Sequence, residues 1–308
     1  MPPTLIADLL LPAFVADALS LGPHWIYDSS EITRLYGAGL HRYDAPHSKY
    51  HPGKRAGDFT HYGDQTLALL HSIVARGGFE AEGWKEDWSR YWSQNTVSYR
   101  DGATRQTLEN LAHGRSDPAP SHDLGGASRI APILAAHYAD PLDLRIKAAR
   151  AQTALTHGDP AVHDAAELFT RWVDGISQGM DIASALENAT AVSYAALDAK
   201  SVLNSARSYA AGSPQEAAAS LGLSCNVMEA LPLTLCLALH FADKPREALI
   251  TNALLGGDSA ARALLLGLIM GAAHGQVWMP PAWLDDLRAK KEIEALLNLP
   301  PSKDVLLA

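Results

Sequence analysis

The sequence predicts an all-α fold, and three observations carry that expectation. Apolar residues recur at helical spacing in segment after segment, runs that alternate every second residue are nearly absent, and none of the Pro- and Gly-containing breaks in the 308 residues is long enough to be a domain linker. A chain of this length can bury a large core and reads as a single domain over 1–308.

The elements follow in order. Residues 4–20 form a first apolar helix, which breaks at Gly22-Pro23 into a polar, aromatic turn. A second helix covers 64–76, opened by Tyr62-Gly63-Asp64-Gln65-Thr66. Segment 80–97 carries Trp84, Trp88 and Trp92 at i, i+4, i+8, a stripe expected to be core packing. Segments 101–112, 124–138 and 143–155 follow, with Pro118-Ala119-Pro120 as a turn between the first two. Gly158-Asp159-Pro160 starts the helix at 160–178, because Pro fits the first helical position. In 181–195, Ile182, Ala185 and Leu186 keep one helical face. Gly212-Ser213-Pro214 is a further turn, and 228–241, 244–254, 258–274 and 280–298 complete the chain. In 258–274, Gly267, Gly271 and Gly275 recur every four residues and would let another helix approach closely.

Composition excludes several classes. Hydrophobic residues make up 47% and charged residues 19%, too apolar for a disordered chain. With 25 Lys and Arg against 34 Asp and Glu, the net charge of −9 argues against a nucleic-acid surface. The longest apolar run, 263–273, is too short to span a bilayer. Cys225 and Cys236 give neither a disulfide framework nor a four-cysteine zinc site, and no export signal precedes Arg34, so a cytoplasmic location is expected. Cys225 reads as a structural thiol, since no motif sets a base beside it.

One stretch departs from helical regularity. Residues 37–63 hold His41, His47, His51 and His61 with Arg42, Lys49, Lys54 and Arg55, against only Asp44 and Asp58. In an acidic protein this is a local cationic surface beside a helix start, and long irregular segments inside compact domains are usually functional or disordered.

Three motifs carry candidate chemistry. Asp64 in Tyr62-Gly63-Asp64-Gln65 and Asp258 in Gly256-Gly257-Asp258-Ser259 each set a carboxylate at a helix N-terminus, where free N–H groups and the helix dipole favour the anion. Singly, each aspartate also fits a plain N-cap. His24, Trp25, Tyr27 and Asp28 form a group suited to gripping a planar or sugar-like ligand. Arg262 follows Asp258 by four positions, so the two side chains are expected to share a helix face and pair.

Together these motifs resemble the ADP-ribosylglycohydrolase family, in family order and over about residues 5 to 275. The matches are Ala16-Asp17-Ala18-Leu19-Ser20, Gly63-Asp64-Gln65-Thr66, Gly126-Ala127-Ser128-Arg129-Ile130-Ala131-Pro132, Thr156-His157 and Gly256-Gly257-Asp258-Ser259-Ala260-Ala261. His24-Trp25-Ile26-Tyr27-Asp28, Tyr62-Gly63-Asp64-Gln65 and Gly257-Asp258-Ser259 with Arg262 look most like the branch holding selenoprotein J and the J-class lens crystallins.

The resemblance implies a helical hydrolase whose enzymatic members hold two magnesium ions on threonines and aspartates of these motifs. This chain keeps Asp64 and Asp258 but has Gly63, Gln65, Ala260 and Ala261 at the other ligand positions. The expectation is therefore zero or one Mg²⁺ rather than two, with Arg262 standing in for part of the lost charge. Asp64 and Asp258 are the expected catalytic residues and ligands of any single ion. His24, Trp25, Tyr27, Asp28, Tyr62, Gln65 and Arg262 are expected to bind a small molecule, ADP-ribose-like or glycosylated, whose glycosidic or related C–N bond is cleaved. Two alternatives stand beside this reading: a non-catalytic structural or ligand-binding relative, and a conventional two-magnesium ADP-ribosyl hydrolase.

Overall fold

The computed structural model describes residues 3–37, 39–95 and 97–298. Its helices are α1 (Pro3–Ser20), α2 (Ser29–Tyr36), α3 (His61–Arg76), α4 (Ala81–Gln94), α5 (Gly102–Ala112), α6 (Gly125–Ser128), α7 (Ala131–Ala136), α8 (Leu142–Ala154) and α9 (Pro160–Ser177). They continue as α10 (Ile182–Thr190), α11 (Ala199–Ala210), α12 (Pro214–Leu221), α13 (Val227–His240), α14 (Pro245–Leu255), α15 (Ser259–His274), α16 (Pro281–Asp285) and α17 (Lys290–Asn298). Among the described residues there is no strand, only the isolated bridges Ala119–His157 and Asp123–Asn226. The all-α expectation holds.

The centre of the molecule is α15, buried from Ser259 to Gly271. Against it lies α1, and glycine makes the approach possible. A Cβ at Gly267 would strike the Pro12 carbonyl, and one at Gly271 would strike that of Asp8. The expected close helix approach is thus real and its partner is α1. Around this pair, α9, α13 and α14 bury Leu168, Phe169, Leu235 and Leu249 in one continuous core. Trp84, Trp88 and Trp92 are 1%, 0% and 0% exposed, and with Leu69, Ile73 and Ile133 they form a second core between α3, α4 and α7.

Several boundaries differ from the periodic reading. Helices α2, α11 and α12 were not expected; each presents only a narrow apolar face, such as Ile32 and Tyr36 on α2. Segment 124–138 is two short helices, and 280–298 breaks between α16 and α17. Helix α3 begins at His61 because Thr60 caps it, its hydroxyl accepting from the Tyr62 N–H. Residues 39–60 contain no helix, as expected. They are sewn down by side chains: the Tyr43 hydroxyl donates to the Trp283 carbonyl at 2.7 Å, and Trp283 Nε1 donates to the His41 carbonyl at 3.0 Å. No described helix is long and apolar enough to cross a membrane.

Candidate active site

The site is built around the turn that opens α15. Gly256 and Gly257 have φ of +68° and +59°, and a Cβ on either would collide with the carbonyl of Ile26 or Leu223. That closeness lets Trp25 N–H donate to Gly257 O at 2.8 Å, Gly257 N–H to Ile26 O at 2.8 Å and Asp258 N–H to Leu223 O at 2.8 Å. The chain after α1 and the chain before α15 are thereby locked together. Trp25 has φ +64°, the one non-glycine residue in the left-handed region among those described.

Asp258 occupies the N-cap position of α15, yet its side chain does not cap the helix. The carboxylate turns inward instead. Oδ2 accepts from Trp25 Nε1 at 3.1 Å and from the Tyr62 hydroxyl at 3.1 Å, while Oδ1 is buried without a hydrogen-bond partner. A plain capping role is excluded for this residue.

The Tyr62 hydroxyl also lies 3.0 Å from Asp123 Oδ2. A phenol has one proton, so it can donate to only one carboxylate; the other contact needs a proton on a carboxyl. Burial raises both acids above the usual carboxylate range, and for Asp123 the Asp258 charge adds to the rise. The two acids are therefore coupled through one phenol, and burial favours a proton on one of them. Cys225 completes the group, its ligand atom and those of Asp123 and Asp258 all lying within 4.8 Å of one another. Burial, then the two carboxylates, keep its thiol protonated.

Next to this pair lies a second acidic set. The fully buried Asp17 accepts from the Thr60 N–H at 2.8 Å and the Thr60 hydroxyl at 2.6 Å. Burial lifts Asp17 to about 7 against those hydrogen bonds. One turn into α3, Asp64 receives the Lys54 ammonium on both oxygens, at 2.7 and 2.6 Å. Burial still raises its carboxyl, Lys54 offsetting only part of the effect.

The sequence-derived residues divide three ways. Trp25, Tyr62 and Asp258 meet directly, His24 stacks on Trp25 with ring centres 4.4 Å apart, and Tyr27 stands at the rim, 55% exposed. Tyr62 itself is 2% exposed, so its hydroxyl and not its ring face serves the site. Asp64 sits in the adjoining set and shares no hydrogen-bond partner with Asp258.

Three residues have other duties. Asp28 is exposed and caps α2 through Ser30 N–H at 2.8 Å. Gln65 is buried, its Oε1 accepting from Trp88 Nε1 at 2.9 Å and Arg129 at 2.5 Å, which ties α3 to α4 and the α6–α7 junction. Arg262 does not pair with Asp258, because Asp258 precedes the helix and faces away. Its guanidinium folds back to donate to Gly256 O at 2.7 Å and Asn252 Oδ1 at 3.1 Å, clamping the glycine turn. A further fixed cation, Lys54, faces Asp64.

Sequence reasoning missed Asp123, which lies before α6 in no recognisable motif, and the roles of Lys54, His51 and His61. The cationic 37–63 segment was the signal for the last three.

The helices thus converge on buried carboxylates behind a glycine-opened helix start. A model of the family described as ADP-ribosylglycohydrolase matches residues 5–305, and the chain belongs to that family. It is similar to an uncharacterised protein of Archaeoglobus fulgidus, 26% identical over 297 residues that cover 94% of this chain and 93% of that one. It is also similar to ADP-ribosylhydrolase ARH3 of Mus musculus, 23% identical over 290 residues, 80% of this chain and 78% of that protein. A solved ADP-ribosylglycohydrolase-related protein complex shares the fold, with a TM-score of 0.71 at 21% identity over 96% of each chain.

The residues here do not fit a two-magnesium centre, which needs oxygen ligands in octahedral array. Both Asp64 oxygens are occupied by an ammonium. Gly63 has no room for a hydroxyl side chain, since a Cβ there would come within 2.7 Å of Asp17 Cγ and 2.8 Å of Phe59 Cβ. Gln65 is spent on Trp88 and Arg129, and Ala260 and Ala261 carry no donor. Candidate ligand groups do exist elsewhere, one of two carboxylates with a thiol and one of three imidazoles.

Proposed function

We propose that this protein is a hydrolase that cleaves a glycosidic or related C–N bond in a small ADP-ribose-like or glycosylated ligand, using the Asp123–Tyr62–Asp258 group for acid–base chemistry. Family membership supports the hydrolase class. The observation that carries the reading is the single phenol proton placed between two raised carboxyls at 3.0 and 3.1 Å.

A pair holding one proton has an acid and a base at once. The ionised member takes a proton from an attacking water, and the protonated member gives its proton to the departing nitrogen or oxygen. One water is consumed and the pair ends with its proton exchanged between members. Asp123 is half-buried and Asp258 is 1% exposed, and burial keeps the proton affinity of both members high. Developing positive charge on the sugar gains from the adjacent carboxylate. Trp25 and Tyr27 at the mouth support the ligand, and Arg262 holds the turn while its charge favours the ionised form of Asp258. The two unbridged cysteines are compatible with a cytoplasmic setting.

The test is product release, by mass spectrometry, from ADP-ribosylated amino acids, ribosylated bases and simple glycosides, with and without added magnesium. The wild type is expected to turn over one class without needing magnesium. Asp123→Asn and Asp258→Asn should each lose about 10²–10⁴-fold while remaining folded. Ligand binding without turnover in the wild type would make the protein a ligand-binding relative; strict magnesium dependence would restore the conventional centre.

A further inference from the structure

Beside the acidic pair, and outside its chemistry, lie three histidines from three parts of the chain: His24 after α1, His51 in the irregular segment and His61 opening α3. They are 0%, 1% and 0% exposed, and one ring nitrogen of each lies within 4.8 Å of the others. Buried polar atoms nearly always find partners. Here His24 Nε2, His51 Nδ1 and His61 Nε2 all lack a hydrogen-bond partner.

The geometry of the group is informative. His51 Nε2 and His61 Nδ1 are 3.4 Å apart, beyond the ordinary 2.7–3.2 Å range of a hydrogen bond from N–H. An ion bound tetrahedrally at about 2.0–2.1 Å sets neighbouring ligand nitrogens roughly 3.3–3.4 Å apart. The other nitrogen of His61, Nε2, makes no hydrogen bond, and the Asp101 carboxylate stands 3.4 Å from it, placed to accept one if the ring shifts onto an ion. A carboxylate behind an imidazole is the arrangement that orients histidine ligands. Trp25 covers the cluster, its ring centre 4.4, 5.1 and 5.2 Å from those of His24, His51 and His61.

We propose that His24, His51 and His61 bind one divalent transition-metal ion of the zinc class, with Asp101 orienting His61. Three imidazoles suit zinc, copper or nickel and are poor ligands for magnesium. The site is distinct from the Asp123–Cys225–Asp258 group, whose thiol and carboxylates would give a bound ion a different signature.

Cobalt titration of the chelator-stripped full chain, followed in the visible, tests the proposal by spectrum and not by turnover, so it stands or falls separately from the hydrolase reading. One equivalent of Co²⁺ should give saturable d–d absorption without a thiolate charge-transfer band. His51→Ala and His61→Ala should weaken binding at least tenfold, and Asp101→Asn about 10–100-fold. Cys225→Ala should leave the spectrum unchanged. Far-ultraviolet circular dichroism checks that the variants fold, and the wild-type titration decides the matter even if one does not. No saturable absorption, or a thiolate band lost in Cys225→Ala, would overturn the assignment.

Discussion

Lys54 and Asp64 form a two-point ion pair, the ammonium 2.7 Å from Oδ1 and 2.6 Å from Oδ2, with side chains only 11% and 14% exposed. The positive charge at this carboxylate is therefore supplied by the chain itself, from a segment with no helix of its own. Removing one partner of a buried pair strands the other charge. Lys54→Met should cost about 2–3 kcal/mol at pH 7, somewhat below the full buried-pair figure because a little solvent remains. The loss should shrink as pH falls, since the stranded carboxyl is then protonated. Urea midpoints at pH 7.5 and 5 measure this; equal midpoints for variant and wild type at both would refute the pair's role.

Asp17 gives a pH dependence of known sign. Its folded value, about 7, lies above the ordinary 3.8, so between those limits the folded state binds more protons than the unfolded chain. Stability is then fully present below about pH 4 and declines as pH rises towards 7, by an amount on the order of 1 kcal/mol per unit. Asp17→Asn has no such proton to lose. Denaturation of both proteins between pH 4.5 and 7.5 should give a difference that narrows or reverses with rising pH, and parallel curves would discard the assignment.

Gly63 is held small by its neighbours. Gly63→Thr puts a side chain against Asp17 and Phe59, and overpacking of this kind costs about 1–3 kcal/mol. The thermal midpoint should drop, with no recovery on adding magnesium. Recovery would mean that the hydroxyl can be accommodated and a magnesium ligand regained.

Arg262 distinguishes a clamp from a charge. Arg262→Met leaves the Gly256 carbonyl and Asn252 Oδ1 without their donor, a loss of about 3 kcal/mol for buried acceptors. Arg262→Lys keeps the charge but not the fork, and should be destabilised nearly as much. Full rescue by lysine in a chemical denaturation series would return Arg262 to the role of a surrogate cation.

Much of this was legible in the residues. Gly256-Gly257-Asp258 and Trp25 could be read because a tight turn needs glycine whatever surrounds it. Tyr62 was recognised as a binding residue, but nothing local reveals that its hydroxyl reaches a carboxylate 61 residues on. Arg262 was misread for the same reason: i,i+4 spacing presumes both residues on the helix, and Asp258 lies just outside it.

What the sequence determined by itself is the helical architecture, the family, and the residue types at Gly63, Gln65, Ala260 and Ala261, because periodicity, turn chemistry and donor type are properties of residues in order along the chain. Tertiary structure alone decided which charges meet: Asp123 with Asp258, Lys54 with Asp64, and three histidines under one tryptophan. Those pairings depend on burial and on distances across space, where desolvation makes each missing or present partner count, and neither quantity is written in local spacing.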